Sequence, residues 1–373
     1  MMKTRRKIEF QGEREAIPAT ITGPGVLYLR FFERTGAQIR LQEALLQAHF
    51  PFNCEMDVVT ICVANADLAP LVKLLGQTLF SGEQESTKAI WERSGDSLGL
   101  RDCFNVESLR AFLGRAQSGW FLEMLRDNRL ETHFQPIISV GRPERVLAYE
   151  ALLRGRVGRE IIAPNLLFDV ARSLNLGREL DDAARLCAIK SAAKHRLKSK
   201  IFLNISPTTL GDGHETLHST LEAVENAGLL REQIVFEIVE SECIDDVPQL
   251  KSALDGLRKS GFRVALDDLG AGYASLQLLG QLRPDYVKLD RELVAGVEGD
   301  SFKALIAEKL LETARALGVI TVAEGVESRA QWEWLRAHGG DFAQGFYFAR
   351  PASHPPVMSS GGPFWLSHAA LAA

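Results

Sequence analysis

Residues 133–154 read HFQPIISVGRPERVLAYEALLR. Two strand-like runs, His133–Ile138 and Leu147–Arg154, flank the gap from Ser139 to Val146. Two parallel strands need a crossover of about a dozen residues or more. The gap is too short for one, so these strands are predicted to pair as an antiparallel hairpin. Six more strand-like runs follow: Ile201–Ser206, Ile234–Glu240, Arg263–Asp268, Tyr286–Asp290, Ile320–Gly325 and Phe342–Phe348. Helical periodicity separates most of them, over Pro164–Asn175, Glu179–Ala193, Glu215–Ala227, Val247–Ser260, Ser301–Leu317 and Arg329–His338. Strand–helix alternation predicts a parallel sheet with helices outside, and eight strands predict a closed barrel. The expected fold class is α/β: a modified TIM-like (β/α)8 barrel with one antiparallel strand, behind a small α/β N-terminal domain.

In that N-terminal part, Gly25–Phe32 and Asp57–Ala64 read as buried strands. Gln38–Ala48 and Leu68–Phe80 read as helices, and polar Ser81–Thr87 as a loop. No ligand motif is visible there, which favours a structural or dimerising role. Val106 to Leu130 reads as one connecting helix, with Leu109, Phe112, Leu113, Ala116, Trp120 and Leu125 near helical spacing. The expected division is 1–105, an N-terminal domain of unknown, regulatory or dimerising role; 106–130, the connecting helix; 131–360, the barrel; and 361–373, a tail.

Composition narrows the function classes. The chain has 373 residues, is 46% hydrophobic and carries a formal net charge of -5 with no long basic run. A broad electropositive face for a nucleic-acid polymer is not expected. Five scattered cysteines (Cys54, Cys62, Cys103, Cys187, Cys243) without a CxxC pair argue for free thiols in a reducing compartment. Met1–Lys7 is basic, but no apolar segment of a signal peptide follows it. No apolar run reaches the ~18 residues of a membrane span. A cytoplasmic protein with no membrane span is expected.

Chemistry-bearing residues recur near the strand ends. Glu150, Leu152 and Arg154 share one face, because strand side chains alternate. Glu237 sits inside the apolar run Ile234–Val239, where a carboxylate is costly unless paired or metal-bound. Asn204 follows Phe202-Leu203. Taken singly, each is more simply a salt bridge or a satisfied polar group. Asp267-Asp268 sharpens the case: neighbours in a strand face opposite ways, so both serve one site only if the strand ends there. Gly270-Ala271-Gly272 predicts that end. Adjacent carboxylates repel, and a cation would relieve this. Lys288 lies between Val287 and Leu289 and needs an anionic partner; it either assists a water near a metal or forms a buried ion pair with Asp290 or Asp268. Glu324 and Glu327 close the seventh strand, and Gln344 lies in the eighth. Oxygen ligands without a histidine cluster suit Mg²⁺ or Mn²⁺. Several carboxylates can hold two ions roughly 3.5–4 Å apart, a geometry used in phosphodiester cleavage. Arg154 suits a phosphate.

Together these residues resemble the EAL family of cyclic di-GMP phosphodiesterases, over about Phe121 to Pro351. The motifs run in order: Phe134-Gln135-Pro136-Ile137, Glu150-Ala151-Leu152-Leu153-Arg154, Asn204-Ile205-Ser206-Pro207, Phe236-Glu237-Ile238-Val239-Glu240-Ser241, Asp267-Asp268-Leu269-Gly270-Ala271-Gly272-Tyr273, Lys288-Leu289-Asp290, Ala323-Glu324-Gly325-Val326-Glu327 and Gln344-Gly345-Phe346. The resemblance implies a modified barrel with one antiparallel strand. It implies Glu150, Asn204, Glu237 and Asp267 as ligands of a first ion, and Asp267 with Asp268 as ligands of a second. Glu324 is implied as an accessory ligand, direct or through water, and Lys288 as the group assisting the nucleophilic water; Glu150, Glu324 and Lys288 form the implied catalytic set. Gln135, Arg154 and Gln344 correspond to substrate-contacting or active-site positions, and Glu240 and Glu327 to loop-stabilising ones. The implied reaction is hydrolysis of cyclic di-GMP to linear pGpG with two Mg²⁺ or Mn²⁺ ions, by a homodimer formed through this domain. The alternative is a weak or inactive domain that serves as a cyclic di-GMP receptor or protein-interaction module. Leu269, Ala271 and Ala274 depart from the residues common in the family's loop, as do Val239 in the strand of Glu237 and Arg172 after Ala171. None of these removes a ligand; the loop changes bear on regulation and rate. No GGDEF-type motif is present, so synthesis of cyclic di-GMP is not expected.

Overall fold

The computed structural model describes residues 21, 23–32, 36–64, 66–94, 106–211, 214–239, 247–270 and 275–357. Glu240, Ser241, Cys103, Cys243, Ala271, Gly272, Tyr273, Ala274, the Met1–Lys7 segment and the 361–373 tail lie outside the described residues. The chain divides into two compact units. One holds the described residues up to Arg129 together with Val157–Glu179; the other holds Leu130–Arg156 and the described residues from Leu180 onward.

The first unit is built on an antiparallel sheet of β1 (Gly25–Arg30), β2 (Phe52–Glu55), β3 (Val58–Val63), β4 (Lys88–Arg93) and β5 (Glu107–Ser108), in the order β2-β3-β1-β4-β5. Alternation buries Leu27 and Leu29 of β1 with Val59 and Ile61 of β3, against Leu41 and Leu45 of helix Gly36–Gln47 and Leu71 and Leu75 of helix Leu68–Thr78. Leu109 and Phe112 belong to this same core. Residues 81–86, expected as a loop, form a helix instead. Glu83 explains it: its carboxylate accepts from the Phe80 amide at 2.9 Å, closing the helix start, and pairs with Arg40. The expected single helix over Val106–Leu130 is two helices, Leu109–Gln117 and Gly119–Arg126, broken at Ser118.

The second unit is a closed barrel. Its strands are β6 (Leu130–Ser139), β7 (Val146–Val157), β9 (Lys200–Asn204), β10 (Ile234–Val239), β11 (Arg263–Leu269), β12 (Tyr286–Leu289), β13 (Ile320–Ala323) and β14 (Phe342–Ala343); the short β8 (Glu160–Ile162) falls within the first unit. All eight predicted strands are present. β6 runs antiparallel to both its neighbours, β7 and β14, and every other barrel pairing is parallel. The hairpin read from the Ser139–Val146 gap is therefore the reversed strand. Helix Ser275–Leu282, between β11 and β12, was not read from the sequence.

Local signals fix the helix ends. Asp300 caps Ser301–Leu317 by accepting from the Phe302 and Lys303 amides, and Gly318, at φ 70°, ends that helix in the left-handed region. Ser328 and Gln331 cap each other's amides at the start of Arg329–Ala337.

The period of two sorts the barrel's side chains. Ile137, Ala148, Phe202, Val235, Ala265, Tyr286 and Val322 form one buried cluster inside the barrel. Their neighbours in sequence, among them Tyr149, Leu203, Phe236, Leu266 and Val287, join the larger core under the helices. The inner cluster is the floor on which the next inward residues stand. No helix among the described residues is long and apolar enough to cross a membrane.

One buried ionic group braces the outer layer. Arg185, in helix Gly177–Lys194, is fully buried; it pairs with Asp181 at 2.8 Å and with Asp182, and donates to Thr220 at 3.0 Å. Burial pushes the Asp181 carboxyl up to about 6, against the pull of Arg185. Arg185→Ala would leave this carboxylate buried without a cation. We expect a stability loss of about 3–5 kcal/mol, read from the urea midpoint. A loss under about 1 kcal/mol, the size of an exposed pair, would mean water reaches the cluster.

Candidate metal and active site

Two residues beyond each floor residue, every barrel strand carries a polar group. Ala148 leads to Glu150, Phe202 to Asn204, Val235 to Glu237, Ala265 to Asp267, Tyr286 to Lys288, Val322 to Glu324 and Phe342 to Gln344. On the reversed strand the order inverts, and Gln135 precedes Ile137. A spacing of two keeps each pair on one face. The polar ring therefore follows from the same alternation that builds the floor.

Lys288 lies at the centre of this ring and is 1% exposed. Its Nζ is 2.7 Å from Glu324 Oε1, 2.9 Å from Glu237 Oε1, 3.2 Å from Asp267 Oδ1 and 3.7 Å from Glu150 Oε1. The ion pair expected with Asp290 or Asp268 is not what forms. Asp290 instead caps the helix Arg291–Val294, accepting from the Glu292 amide at 2.8 Å. The true partners stand on other strands, where sequence proximity gives no hint of them.

One ammonium does not balance four carboxylates. Among the described residues Glu237 is met by the Lys288 ammonium at 2.9 Å and by no other hydrogen-bond donor. Burial pushes the Glu237 carboxyl well above its ordinary range; Lys288 pulls it down, and Glu150 and Asp267 push it back up. Burial likewise raises Glu324 to about 8, with Asp267 and Glu150 adding to it against Lys288. Asp268 is raised to about 6 by burial and by Asp267 beside it. Burial alone would depress the Lys288 ammonium, but Asp267, Glu150, Glu237 and Glu324 together hold it well above its usual value. A ring this short of positive charge and of hydrogen-bond donors suits added cations.

Asp267, Asp268 and Glu324 each offer a carboxylate oxygen, and these oxygens lie within 4.8 Å of one another, a spacing that suits a metal ion. Asp268 reaches Asp267's side by a route the sequence did not show. The strand expected to stop at Asp268 ends one residue on, at Leu269, which pairs with Leu289 of β12. The pairing register shifts between Leu266 and Leu269, and Asp268 adopts φ 60°. A left-handed residue inside an irregular strand rotates its side chain out of alternation. Strain of this kind clusters at functional sites.

The remaining predicted residues fall into three groups. Asn204 is exposed at the strand end, in register with Glu237. Gln135 and Gln344 are buried and hydrogen-bonded to each other, and Gln344 also donates to Glu150. Arg154 is half-buried and farther along β7 on Glu150's face; it donates to the Leu153 carbonyl at 2.7 Å. Glu327 is not drawn into the ring: its side chain is exposed, and its amide donates to Gln331.

Sequence reading missed the importance of Gly345. A Cβ there would lie 2.0 Å from the Val326 carbonyl oxygen and 2.3 Å from the Val326 nitrogen. Only a glycine lets the segments after Glu324 and Gln344 approach this closely.

Comparison with known proteins agrees with this geometry. Residues 119–351 match the EAL domain family. The chain is 30% identical over 236 residues to the cyclic di-GMP phosphodiesterase NbdA of Pseudomonas aeruginosa, a match covering 61% of this chain and 30% of that protein. The chain thus spans less than a third of that curated relative's length. A standalone EAL protein from Vibrio cholerae O395, solved with cyclic di-GMP bound, is 32% identical with a TM-score of 0.57, covering 62% of this chain and 96% of that one. BlrP1 of Klebsiella pneumoniae, solved with manganese and cyclic di-GMP, covers 88% of this chain and 96% of its own at 22% identity and a TM-score of 0.56, a likeness of fold alone. With its ordered motifs, its reversed barrel strand and its carboxylate ring, the chain belongs to the EAL domain family.

Proposed function

We propose that this protein hydrolyses one phosphodiester bond of cyclic di-GMP to give linear pGpG, using two Mg²⁺ or Mn²⁺ ions. The observation that carries this reading is the ring around Lys288: four carboxylates, the fully buried Glu237 among them, share one ammonium. Glu150, Asn204, Glu237 and Asp267 are the residues to hold one ion, and Asp267 with Asp268 the other, with Glu324 as accessory. Bound there, such ions supply charge stabilisation at a phosphate oxygen and a more acidic water. Lys288 sets a positive charge and N–H donors beside the attacking water. Arg154, on the same face of β7, offers a fork to the phosphate. Water adds at phosphorus, and one ribose oxygen leaves.

The test is pGpG formation by the full chain with Mg²⁺ or Mn²⁺. Tight binding of cyclic di-GMP without turnover would leave a receptor in place of an enzyme. Glu150→Ala is expected to abolish metal-dependent turnover while the protein stays folded, because Glu150 stands on the floor of the barrel without being part of it. Near wild-type rates in that variant would overturn the site assignment.

A further inference from the structure

We propose that Gln135 and Gln344 act as one positioning device on Glu150, with its polarity set by a backbone carbonyl. The proposal rests on the metal-site reading given under Proposed function. Gln135 Nε2 donates to the Ala349 carbonyl at 3.2 Å. Gln344 Nε2 donates to Gln135 Oε1 at 2.9 Å and to Glu150 Oε2 at 2.5 Å. Gln135 is 8% exposed and Gln344 3% exposed, so water does not compete freely for these bonds.

The direction of the relay is dictated from one end. A carbonyl oxygen only accepts, so the Gln135 amide must turn its nitrogen toward Ala349. Its oxygen then faces Gln344, which must answer with its own nitrogen. The second hydrogen of that nitrogen is left for Glu150. An N–H, never a lone pair, is thus presented to Glu150 Oε2. With Oε2 held, Oε1 is the oxygen that lies toward the centre of the ring, 3.7 Å from Lys288 Nζ.

The strand order supplies the anchoring. Gln135 lies directly opposite Glu150 in the β6–β7 register, and Gln344 follows β14, the other neighbour of β6. The reversed strand therefore ties the two sides of the barrel seam to one carboxylate. Groups that orient a ligand from behind typically tune metal affinity by about 10- to 100-fold. A substrate-contacting glutamine would instead act on KM for cyclic di-GMP.

The test is Mn²⁺ binding by calorimetry, without substrate, on the full chain. Wild type is compared with Gln344→Glu, Gln344→Leu and Gln135→Leu, and thermal unfolding shows that each variant is folded. Gln344→Glu keeps the shape but turns a lone pair toward Glu150, which separates donor direction from packing. We expect each Gln344 variant to weaken Mn²⁺ binding by about 10- to 100-fold. At saturating Mn²⁺, KM for cyclic di-GMP should stay near the wild-type value. The double variant Gln135→Leu/Gln344→Leu should bind no worse than Gln344→Leu, since the residues act in series. Unchanged or tighter Mn²⁺ binding by Gln344→Glu, or a raised KM with unchanged Mn²⁺ affinity, would overturn the relay. If wild type itself binds no Mn²⁺, the metal-site reading fails first.

Discussion

Lys288→Met is expected to lower turnover of cyclic di-GMP by about 10²- to 10⁴-fold, the range of a group that assists proton movement in the transition state. Its effect on substrate binding should be much smaller, because Lys288 is buried at the centre of the ring and Arg154 farther along β7 is the phosphate candidate. The substitution nearly conserves length while removing the one ammonium among Glu324, Glu237, Asp267 and Glu150. It should therefore also cost stability. Removing one partner of a buried ionic group typically costs about 3–5 kcal/mol. Added Mn²⁺ should raise the variant's unfolding temperature more than that of wild type, because the ring then lacks the ammonium at its centre. Single-turnover rates, KM and thermal unfolding with and without Mn²⁺ decide the matter. Equal losses in turnover and in binding would make Lys288 a mainly structural residue.

Gly345→Ala should do nearly as much damage from a position with no chemistry of its own. The new Cβ would meet the Val326 oxygen at 2.0 Å, its nitrogen at 2.3 Å and its carbonyl carbon at 2.6 Å. These are backbone atoms and cannot swing aside as a side chain can. Separation is also opposed by two bonds that tie the segments, Val326 N–H to the Gln344 carbonyl and Tyr347 N–H to the Val326 carbonyl, each 3.0 Å. We expect a stability loss of about 3 kcal/mol or more, at the upper end for overpacking. Glu324 and Gln344 stand on the two segments forced apart. A shift of about 1 Å between them can cost about 100-fold in turnover. Gly141→Ala, where a Cβ meets nothing within 4 Å, is the control. If Gly345→Ala matches that control in denaturant midpoint and rate, the close approach is not rigid.

Strand alternation and the short Ser139–Val146 gap are local facts, and they were enough to give eight strands and one reversed pair. The ring was also partly written in the sequence. An inward apolar residue followed two positions later by a polar one recurs on seven barrel strands and is inverted on the eighth, Gln135 before Ile137. That inversion is a sequence signature of the reversed strand. The helix over residues 81–86 leaves no mark in the periodicity because it is closed in part by Arg40, a distant partner for Glu83. Sequence periodicity cannot register such a pairing.

The barrel, its hairpin and the identity of the polar residues at its rim are written in the chain, because each follows from neighbours a few positions apart. The tertiary structure alone decided who meets whom. It gave Lys288 to Glu237 and Glu324 in place of Asp290, and it turned Asp268 beside Asp267 by a left-handed backbone one residue before the strand ends. It also brought Gln344 to Gln135 across 209 positions of sequence, and to Glu150. The physical reason is closure. Alternation fixes which face a side chain takes, but the register around the ring is set by eight strands pairing at once.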